Sequence, residues 1–184
     1  MNADYPVAES VLDFWFREAT PRQWWAKSEE FDRLIESRFA AVLAAAARCE
    51  LYAWRSTACG RLAEIIVLDQ FSRNIHRDHP AAFACDGLAL ALAQEAVAAA
   101  ADQELSETQR AFLYMPYMHS ESSLIHVQAV KLFSQPGMAD NLAFELRHKA
   151  IIDRFGRYPH RNALLGRVST PEEIAFLQTP GSSF

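Results

Sequence analysis

Apolar residues recur at three- and four-residue spacing along most of the chain, which is the period of an α-helix. Between Phe31 and Ala46 this spacing places them on one face of a long amphipathic helix. No alternation of apolar and polar positions longer than four residues competes with it. The pattern predicts an all-α protein with about eight helices, over Val7–Phe16, Ser28–Arg48, Gly60–Ile75, Pro80–Ala101, Glu107–Tyr117, Glu121–Phe133, Ala139–Phe155 and Pro171–Leu177.

Several local signals support these helix ends. Thr20–Gln23, Ser106–Gln109 and Thr170–Glu173 each place a hydroxyl three residues before Glu or Gln, the pattern of a capping box at a helix N-terminus. Gly156 is expected to end the seventh helix in the left-handed conformation. The connections are short, so successive helices should pack as antiparallel neighbours. We expect one domain over residues 1–184, with a C-terminal tail from about residue 178.

Composition narrows the class of protein. Of 184 residues, 51% are hydrophobic and 22% charged, which is typical of a globular domain with its own core. A net charge of −5 lacks the basic surplus of a nucleic-acid binder, so no nucleic-acid partner is expected. The first ten residues do not resemble a signal peptide, and no run approaches 18 uninterrupted apolar residues, so no membrane partner is expected either. Three cysteines without disulfide-like or metal-ligand spacing indicate a cytoplasmic protein.

Polar residues occur where the helical period predicts core. In the helix over Gly60–Ile75, Asp69 and Arg73 fall on an apolar face, one turn apart, and the opposite side of the helix is apolar as well. A carboxylate and a guanidinium on a buried helix must pair with each other or face a cavity. Gln70 and Asn74 form a second pair beside them. An ion pair four residues apart is often only structural, so both interpretations stay open.

The later helices repeat this feature. Glu121 and Gln128 lie within the apolar face of the sixth helix, and His119 stands at the break before it. His148, among the apolar residues of the seventh helix, is more typical of a core histidine with satisfied hydrogen bonds than of a catalyst. The Gly- and Pro-constrained loop that follows concentrates four polar residues, which suits contacts to an anion. They are Arg157, His160, Arg161 and Asn162.

Several blocks together resemble the bacterial family called domain of unknown function 924, nearly from end to end. They are Val11-Leu-Asp-Phe-Trp-Phe16, Trp24-Trp25, Leu68-Asp-Gln-Phe-Ser-Arg-Asn74, Phe112-Leu-Tyr-Met-Pro116, His119-Ser-Glu121 with Gln128, Phe155-Gly-Arg-Tyr-Pro-His-Arg-Asn162, Leu165-Gly-Arg167 and Ser169-Thr-Pro-Glu-Glu173. The resemblance implies an all-helical, tetratricopeptide-like array of antiparallel helix pairs and no particular reaction. Ser72 replaces a proline usual in the family, so we expect a straighter helix backbone near Asp69.

The motif residues of this family coincide with the polar residues that the helical period singles out. We therefore expect one polar cleft between the third, fifth and sixth helices and the loop after the seventh, with a net positive charge suited to a small anionic ligand. Its ligand-binding residues would be Asp69, Gln70, Arg73, Asn74, Gln128, Arg157, Arg161 and Asn162. Its acid/base groups would be His119, Glu121 and His160, and Asp69 is a further candidate.

Two other functions stay open. The helices could form a module that binds a peptide or protein, with the polar cluster purely structural, or the cluster could do no more than lock helix packing. No phosphate-binding loop, dinucleotide fingerprint or serine nucleophile motif is present in the sequence, so no cofactor is expected. His76 and His79 have no further ligand nearby, so no metal site is predicted either.

Overall fold

The structure, a computed structural model, describes residues 7–183. Residue 184 and residues 1–6, on which part of the signal-peptide prediction rests, lie outside the described residues. The described chain is a single all-helical domain with no strand, which confirms the predicted fold class. Its helices are α1 (Ala8–Asp13, continued by a π-helical turn at Phe14–Glu18), α2 (Pro21–Trp25), α3 (Glu29–Ala47), α4 (Ala58–Ile66, a π-helical turn at Val67–Phe71, and Ser72–Ile75), α5 (Asp86–Ala98), α6 (Glu107–Met118), α7 (Ser123–Phe133), α8 (Ala139–Phe155) and α9 (Pro171–Leu177). Short 3₁₀ turns lie at Tyr52–Ser56, Pro80–Phe83, Ala101–Glu104 and Pro159–Arg161.

Most helix ends are where the sequence places them. All three predicted capping boxes form, and Gly156 adopts the left-handed conformation with φ 69°. The single helix predicted over Pro80–Ala101 is wrong. This segment begins as a 3₁₀ turn at Pro80–Phe83 and continues as α5 from Asp86. It ends where Ala100 takes a left-handed conformation with φ 54°.

Helix α4 lies at the centre of the core, as its apolar residues on both sides predict. Leu62, Ile66, Leu68 and Phe71 are fully buried, and the helix packs against α1, α3, α5 and α6. The aromatic residues of the π-helical turn after α1 cover one end of it. Trp15, for example, meets Phe71 edge-on with ring centroids 5.5 Å apart.

The straighter backbone expected near Asp69 is wrong, because α4 contains a π-helical turn at Val67–Phe71. Such a turn inserts one extra residue, which rotates every later side chain around the helix axis. Ser72, immediately after the turn, donates its hydroxyl to the carbonyl oxygen of Leu68 at 2.6 Å. Asp69 and Gln70 both lie inside the π-helical turn, so the turn sets the direction of their side chains.

In the described part of the chain, one helical stretch is long and apolar enough to cross a membrane by length and composition alone. It runs over Pro80–Ala98 with a mean hydropathy of 1.4. The stretch is not one helix, and Asp86 within it carries an ion-paired carboxylate. Its inward residues, such as Ala89 and Ala93, are buried in the core. These are features of an amphipathic helix that packs one face against the core.

Substitution by alanine should have opposite effects on the stability of the fold at two glycines. At Gly156 an added methyl group meets no atom, but the positive φ disfavours a side chain, so Gly156→Ala should lower the free energy of unfolding by about 1 kcal/mol. At Gly87, in the first turn of α5, the added methyl group also meets no atom and the backbone is helical. Gly87→Ala should therefore raise the free energy of unfolding by up to about 1 kcal/mol. Urea unfolding measures both, and a shift in the same direction for the two variants would contradict this assignment.

Candidate functional site

A cleft of about 320 Å³ opens between the start of α5, the end of α6 and the segment after Pro159–Arg161. Its apolar wall consists of Pro80, Phe83, Ala84, Gly87, Leu90, Pro116 and Leu165, and its polar wall of Asp86, His119, Ser120, Glu121 and Arg161. Three of the residues predicted for the site, His119, Glu121 and Arg161, therefore share one cleft. Its size lies at the lower end of the range for small-molecule sites.

Beside the cleft, five residues form a closed ring of hydrogen bonds and ion pairs, which we call the polar ring: Asp69, Arg73, Asp86, Arg161 and His119. Arg73 donates from Nη1 and Nη2 to the two carboxylate oxygens of Asp86 at 2.9 and 3.0 Å, and its Nη1 lies 3.3 Å from Oδ1 of Asp69. Arg161 donates to Asp86 at 3.2 Å and to the carbonyl oxygen of His119 at 3.1 Å. The ring closes between His119 Nδ1 and Asp69 Oδ1 at 2.7 Å. It joins α4, α5, the end of α6 and the loop after α8.

The buried pair of Asp69 and His119 has defined protonation. Burial opposes the charged form of Asp69, but His119, Arg73 and a hydrogen bond from Gln70 outweigh it and hold the pKa of the carboxyl well below its usual range. Burial lowers the pKa of His119 from its usual 6.5, although Asp69 counteracts part of that effect. At neutral pH a neutral imidazole therefore donates its Nδ1–H to an ionised carboxylate. The other nitrogen, Nε2, makes no hydrogen bond to any residue from 7 to 183.

Arg161 is held between two aromatic rings. The carbon of its guanidinium lies 4.6 Å from the ring centroid of Phe83 and 4.6 Å from that of Tyr158. Stacking of this kind stabilises a buried cation. Burial and the charge of Arg73 lower the pKa of Arg161, and Asp86 opposes this.

Glu121 and His160 do not have the arrangement expected of acid/base groups. Glu121 accepts two hydrogen bonds from Arg167, at 2.6 and 2.9 Å, and one from the backbone N–H of Tyr158 at 2.7 Å. Burial opposes its charged form, yet these bonds lower the pKa of Glu121. His160 packs beside the Tyr158 ring, and burial together with Arg161 lowers its pKa to about 4. Of the three predicted acid/base residues, only His119 combines a place in the cleft with a nitrogen that has no partner.

The prediction that all the polar residues converge on one cleft is wrong, because only three of the eleven line it, and four lie elsewhere in the fold. Asn74 donates to Asp32 on α3 at 2.8 Å, Gln128 is exposed on α7, Arg157 pairs with Glu173 on α9 at 2.6 Å, and Asn162 donates to Ser169 and Glu173 at 3.0 and 3.2 Å. Gln70 instead donates to Asp69 at 2.6 Å, so Asn74 and Gln70 do not pair. Arg157 and Asn162 instead tie the loop after α8 to the N-terminus of α9.

Sequence reasoning missed Asp86, Phe83, Ser120 and Arg167. Asp86 balances two arginines, but an acidic residue in the first turn of a helix is ordinary, so nothing in the sequence marks it. With Asp86 counted, three carboxylates (Asp69, Asp86 and Glu121) stand against three arginines (Arg73, Arg161 and Arg167). The charged residues that line the cleft itself are Asp86, Glu121 and Arg161, so the cleft has no net positive charge and the predicted positive cleft is wrong. Within residues 7–183, no group of three or more His, Cys, Asp or Glu could hold a metal ion.

The buried histidines predict a pH-dependent stability. His148 donates to the carbonyl oxygen of Phe144 at 2.8 Å, as expected for a core histidine, and burial lowers its pKa to about 3. Below pH 6.5 an unfolded histidine binds a proton while the folded one stays neutral, so stability falls as the pH drops from 6.5 towards 4. Each such histidine contributes a slope of up to about 1.4 kcal/mol per pH unit. Urea unfolding at several pH values measures this slope. Between pH 4 and 6.5 the free energy of unfolding should change less steeply with pH in His148→Gln than in the wild type, and between pH 7 and 8 it should change equally in both. Equal slopes at low pH would contradict the assignment.

Comparison with known proteins places the chain in a family. A family model described as bacterial protein of unknown function (DUF924) matches residues 11–181. The fold is also similar to a solved structure titled as a protein of unknown function, ATU0120 from Agrobacterium tumefaciens, with 40% identity and a TM-score of 0.88 over 93% of this chain and 96% of that one. No curated protein matches the sequence. The resemblance seen in the sequence is confirmed, and the chain belongs to the bacterial family of unknown function DUF924.

Proposed function

We propose that the cleft binds a small organic molecule and that His119, oriented by Asp69, acts on it as a general base. The observation that carries this proposal is the 2.7 Å contact between His119 Nδ1 and the buried carboxylate of Asp69, while Nε2 makes no hydrogen bond to any of the described residues. A hydrogen bond from Nδ1–H to a carboxylate fixes the tautomer in which Nε2 carries the lone pair. His119 lines the cleft, so a ligand there would lie against the imidazole.

The surroundings of His119 suit proton transfer. Because the imidazole is neutral at pH 7, Nε2 can accept a proton without first losing one. The imidazolium that then forms lies beside the ionised carboxylate of Asp69, which stabilises it in a site that excludes most water.

The lining of the cleft favours a mainly apolar ligand with one weakly acidic proton. Seven of its twelve lining residues are apolar. Arg161 is the one arginine that lines it in the described chain, and two of its nitrogens already bind Asp86 and His119. A strongly anionic ligand would have to compete with Asp86 for that guanidinium. We therefore replace the anionic ligand expected from the sequence with a neutral one that carries a hydroxyl or a similar group.

A second candidate function, binding of a protein or peptide, is favoured by one specific observation. Large apolar side chains are exposed on the neighbouring helices α7 and α8, with Leu124 70%, Phe144 53% and Leu146 49% exposed. Such side chains are common at interaction surfaces. The tetratricopeptide-like arrangement implied by the family would provide a surface of this kind.

We place the protein in the cytoplasm as part of the same proposal. Cys49, Cys59 and Cys85 are free thiols. Free thiols suit a reducing compartment. The placement is supported by this chemistry alone.

Filling the cleft should abolish ligand binding. A side chain at residue 87 extends into open space at the cleft wall, so Gly87→Phe should occupy the cleft, while Gly87→Ala leaves most of it open. We expect a ligand-observed NMR screen of small alcohols, phenols and carbon acids to give compounds that bind the wild type and Gly87→Ala but not Gly87→Phe. Compounds that bind all three proteins equally, or no binder in the screen, would contradict the proposed function.

The protonation of His119 is testable by itself. ¹⁵N NMR of histidine-labelled protein should show His119 as the neutral Nδ1–H tautomer at pH 7, with a pKa below 6.5. Asp69→Asn should change the tautomer and lower this pKa further, because the charge that raises it is gone. Arg73 keeps Asp86 as its partner in that variant, so the fold should survive. Asp102→Asn is the matched control, because that buried carboxylate accepts from Tyr114 and not from His119; an equal effect of both variants would contradict the assignment.

A further inference from the structure

The end of α6 presents three successive carbonyl groups that side chains, not backbone N–H groups, satisfy. The last carbonyls of any helix lack a donor within the helix. The oxygens of Met115 and Tyr117 accept from the N–H groups of His119 and Ser120, at 3.0 and 3.3 Å. The oxygens of Met118, His119 and Ser120 each accept a hydrogen bond from a buried side chain.

The three donors come from different parts of the fold, and we call them the carbonyl clamp: Tyr158, Arg161 and His126. The distances are 2.6 Å from Tyr158 Oη to Met118 O, 3.1 Å from Arg161 Nη2 to His119 O, and 2.9 Å from His126 Nε2 to Ser120 O. Tyr158 and His126 are fully buried, and Arg161 is 5% exposed. A cation at a helix C-terminus, here Arg161, is also favoured by the helix dipole.

His126 is held at both ring nitrogens. Its Nδ1 lies 2.7 Å from Oε1 of Glu145, and both side chains are fully buried. Burial raises the pKa of Glu145 despite this contact. The carbonyl oxygen of Ser120 can only accept, so the Nε2 of His126 carries a proton and donates it there at 2.9 Å.

We propose that the carbonyl clamp is a positioning device for His119, an inference that rests on the proposed function of the cleft. His119 is the residue that follows the last turn of α6, so the ladder of helix hydrogen bonds ends at it. The clamp fixes its own carbonyl and the carbonyls on both sides. When these three peptide groups are fixed, the direction of the His119 side chain is fixed too, with Nδ1 on Asp69 and Nε2 without a protein partner.

Tyr158 is the member of the clamp on which the other two depend. The guanidinium of Arg161 stacks on its ring at 4.6 Å, and the ring of His126 meets it edge-on with centroids 6.3 Å apart. Its hydroxyl oxygen also lies 3.2 Å from His126 Nε2. Removing this one hydroxyl group should therefore loosen the turn at His119 while the aromatic packing stays in place.

The test compares Tyr158→Phe with Tyr114→Phe. Tyr114 is the matched control because it is also fully buried and lies on α6 itself, yet its hydroxyl binds Asp102 at 2.5 Å and Gln135 at 3.0 Å, away from the clamp. ¹⁵N NMR of labelled histidine reports the tautomer and the pKa of His119 in each protein, and hydrogen exchange reports the amides of His119 and Ser120.

We expect Tyr158→Phe to turn the single Nδ1–H tautomer of His119 into a mixture, because the imidazole is no longer held against Asp69. The amides of His119 and Ser120 should exchange at least tenfold faster. Tyr114→Phe should change none of these quantities, although both variants lose a buried hydrogen bond and some thermal stability. An unchanged His119 in Tyr158→Phe, or an equal change in Tyr114→Phe, would overturn the proposal.

A second variant covers the case in which Tyr158→Phe does not fold. His126→Gln keeps a donor that can reach the carbonyl oxygen of Ser120 but loses the contact to Glu145. It should therefore shift the tautomer of His119 less than Tyr158→Phe does and more than Tyr114→Phe does. No shift at all would count against the clamp. The two proposals fail separately. The clamp is judged by the protonation of His119, while the proposed function is judged by the Gly87 variants and the binding screen.

Discussion

The buried carboxylate of Asp69 is the constraint on which the rest of the site depends. It lies on the central helix of the core and is 1% exposed, so its charge must be compensated by protein groups alone. His119, Gln70 and Arg73 provide that compensation. Arg73 then requires Asp86, which in turn receives Arg161, and Arg161 reaches back to the carbonyl of His119. The polar ring compensates this buried charge and joins four parts of the chain beside one cleft.

A ring with balanced charge limits what the site can do. Its arginines are bound to carboxylates, so they are not available to bind an external anion. Buried ion pairs of this kind can often be replaced by apolar residues without loss of stability, so stability alone does not explain the ring. A purely structural ring would be expected to use every strong acceptor. Two nitrogens of the polar ring have no hydrogen-bond partner in residues 7–183, His119 Nε2 and the buried Nε of Arg161, while the Nδ1 of His119 is held at 2.7 Å. The proposed role of His119 as a general base rests on its Nε2, because this nitrogen is the one that can meet a ligand in the cleft.

Helical periodicity predicted the fold and part of this site. It marked Asp69, Gln70 and Arg73 because charged and amide side chains on the apolar faces of a central helix are physically exceptional. It could not find Asp86, which occupies an ordinary position in the first turn of α5. It also assumed 3.6 residues per turn throughout, and the π-helical turn at Val67–Phe71 breaks that assumption. Asn74 was misplaced because its partner, Asp32, lies on α3, and a helical period gives no information about which residues of another helix lie opposite.

The loop after α8 illustrates why residue type alone misleads. Its many donors suggested an external anion, yet in the fold they satisfy internal acceptors. Tyr158 and Arg161 point inward to the end of α6, while Arg157 binds Glu173 at the start of α9. The contacts of the loop to α6 depend on its contact to α9, because a loop can hold the turn at His119 in place only if the loop is itself fixed. Glu173, whose pKa is lowered to about 2 by its bonds to Arg157, also caps α9 through Thr170. The last helix of the chain is thereby connected, through one loop, to the orientation of a single imidazole.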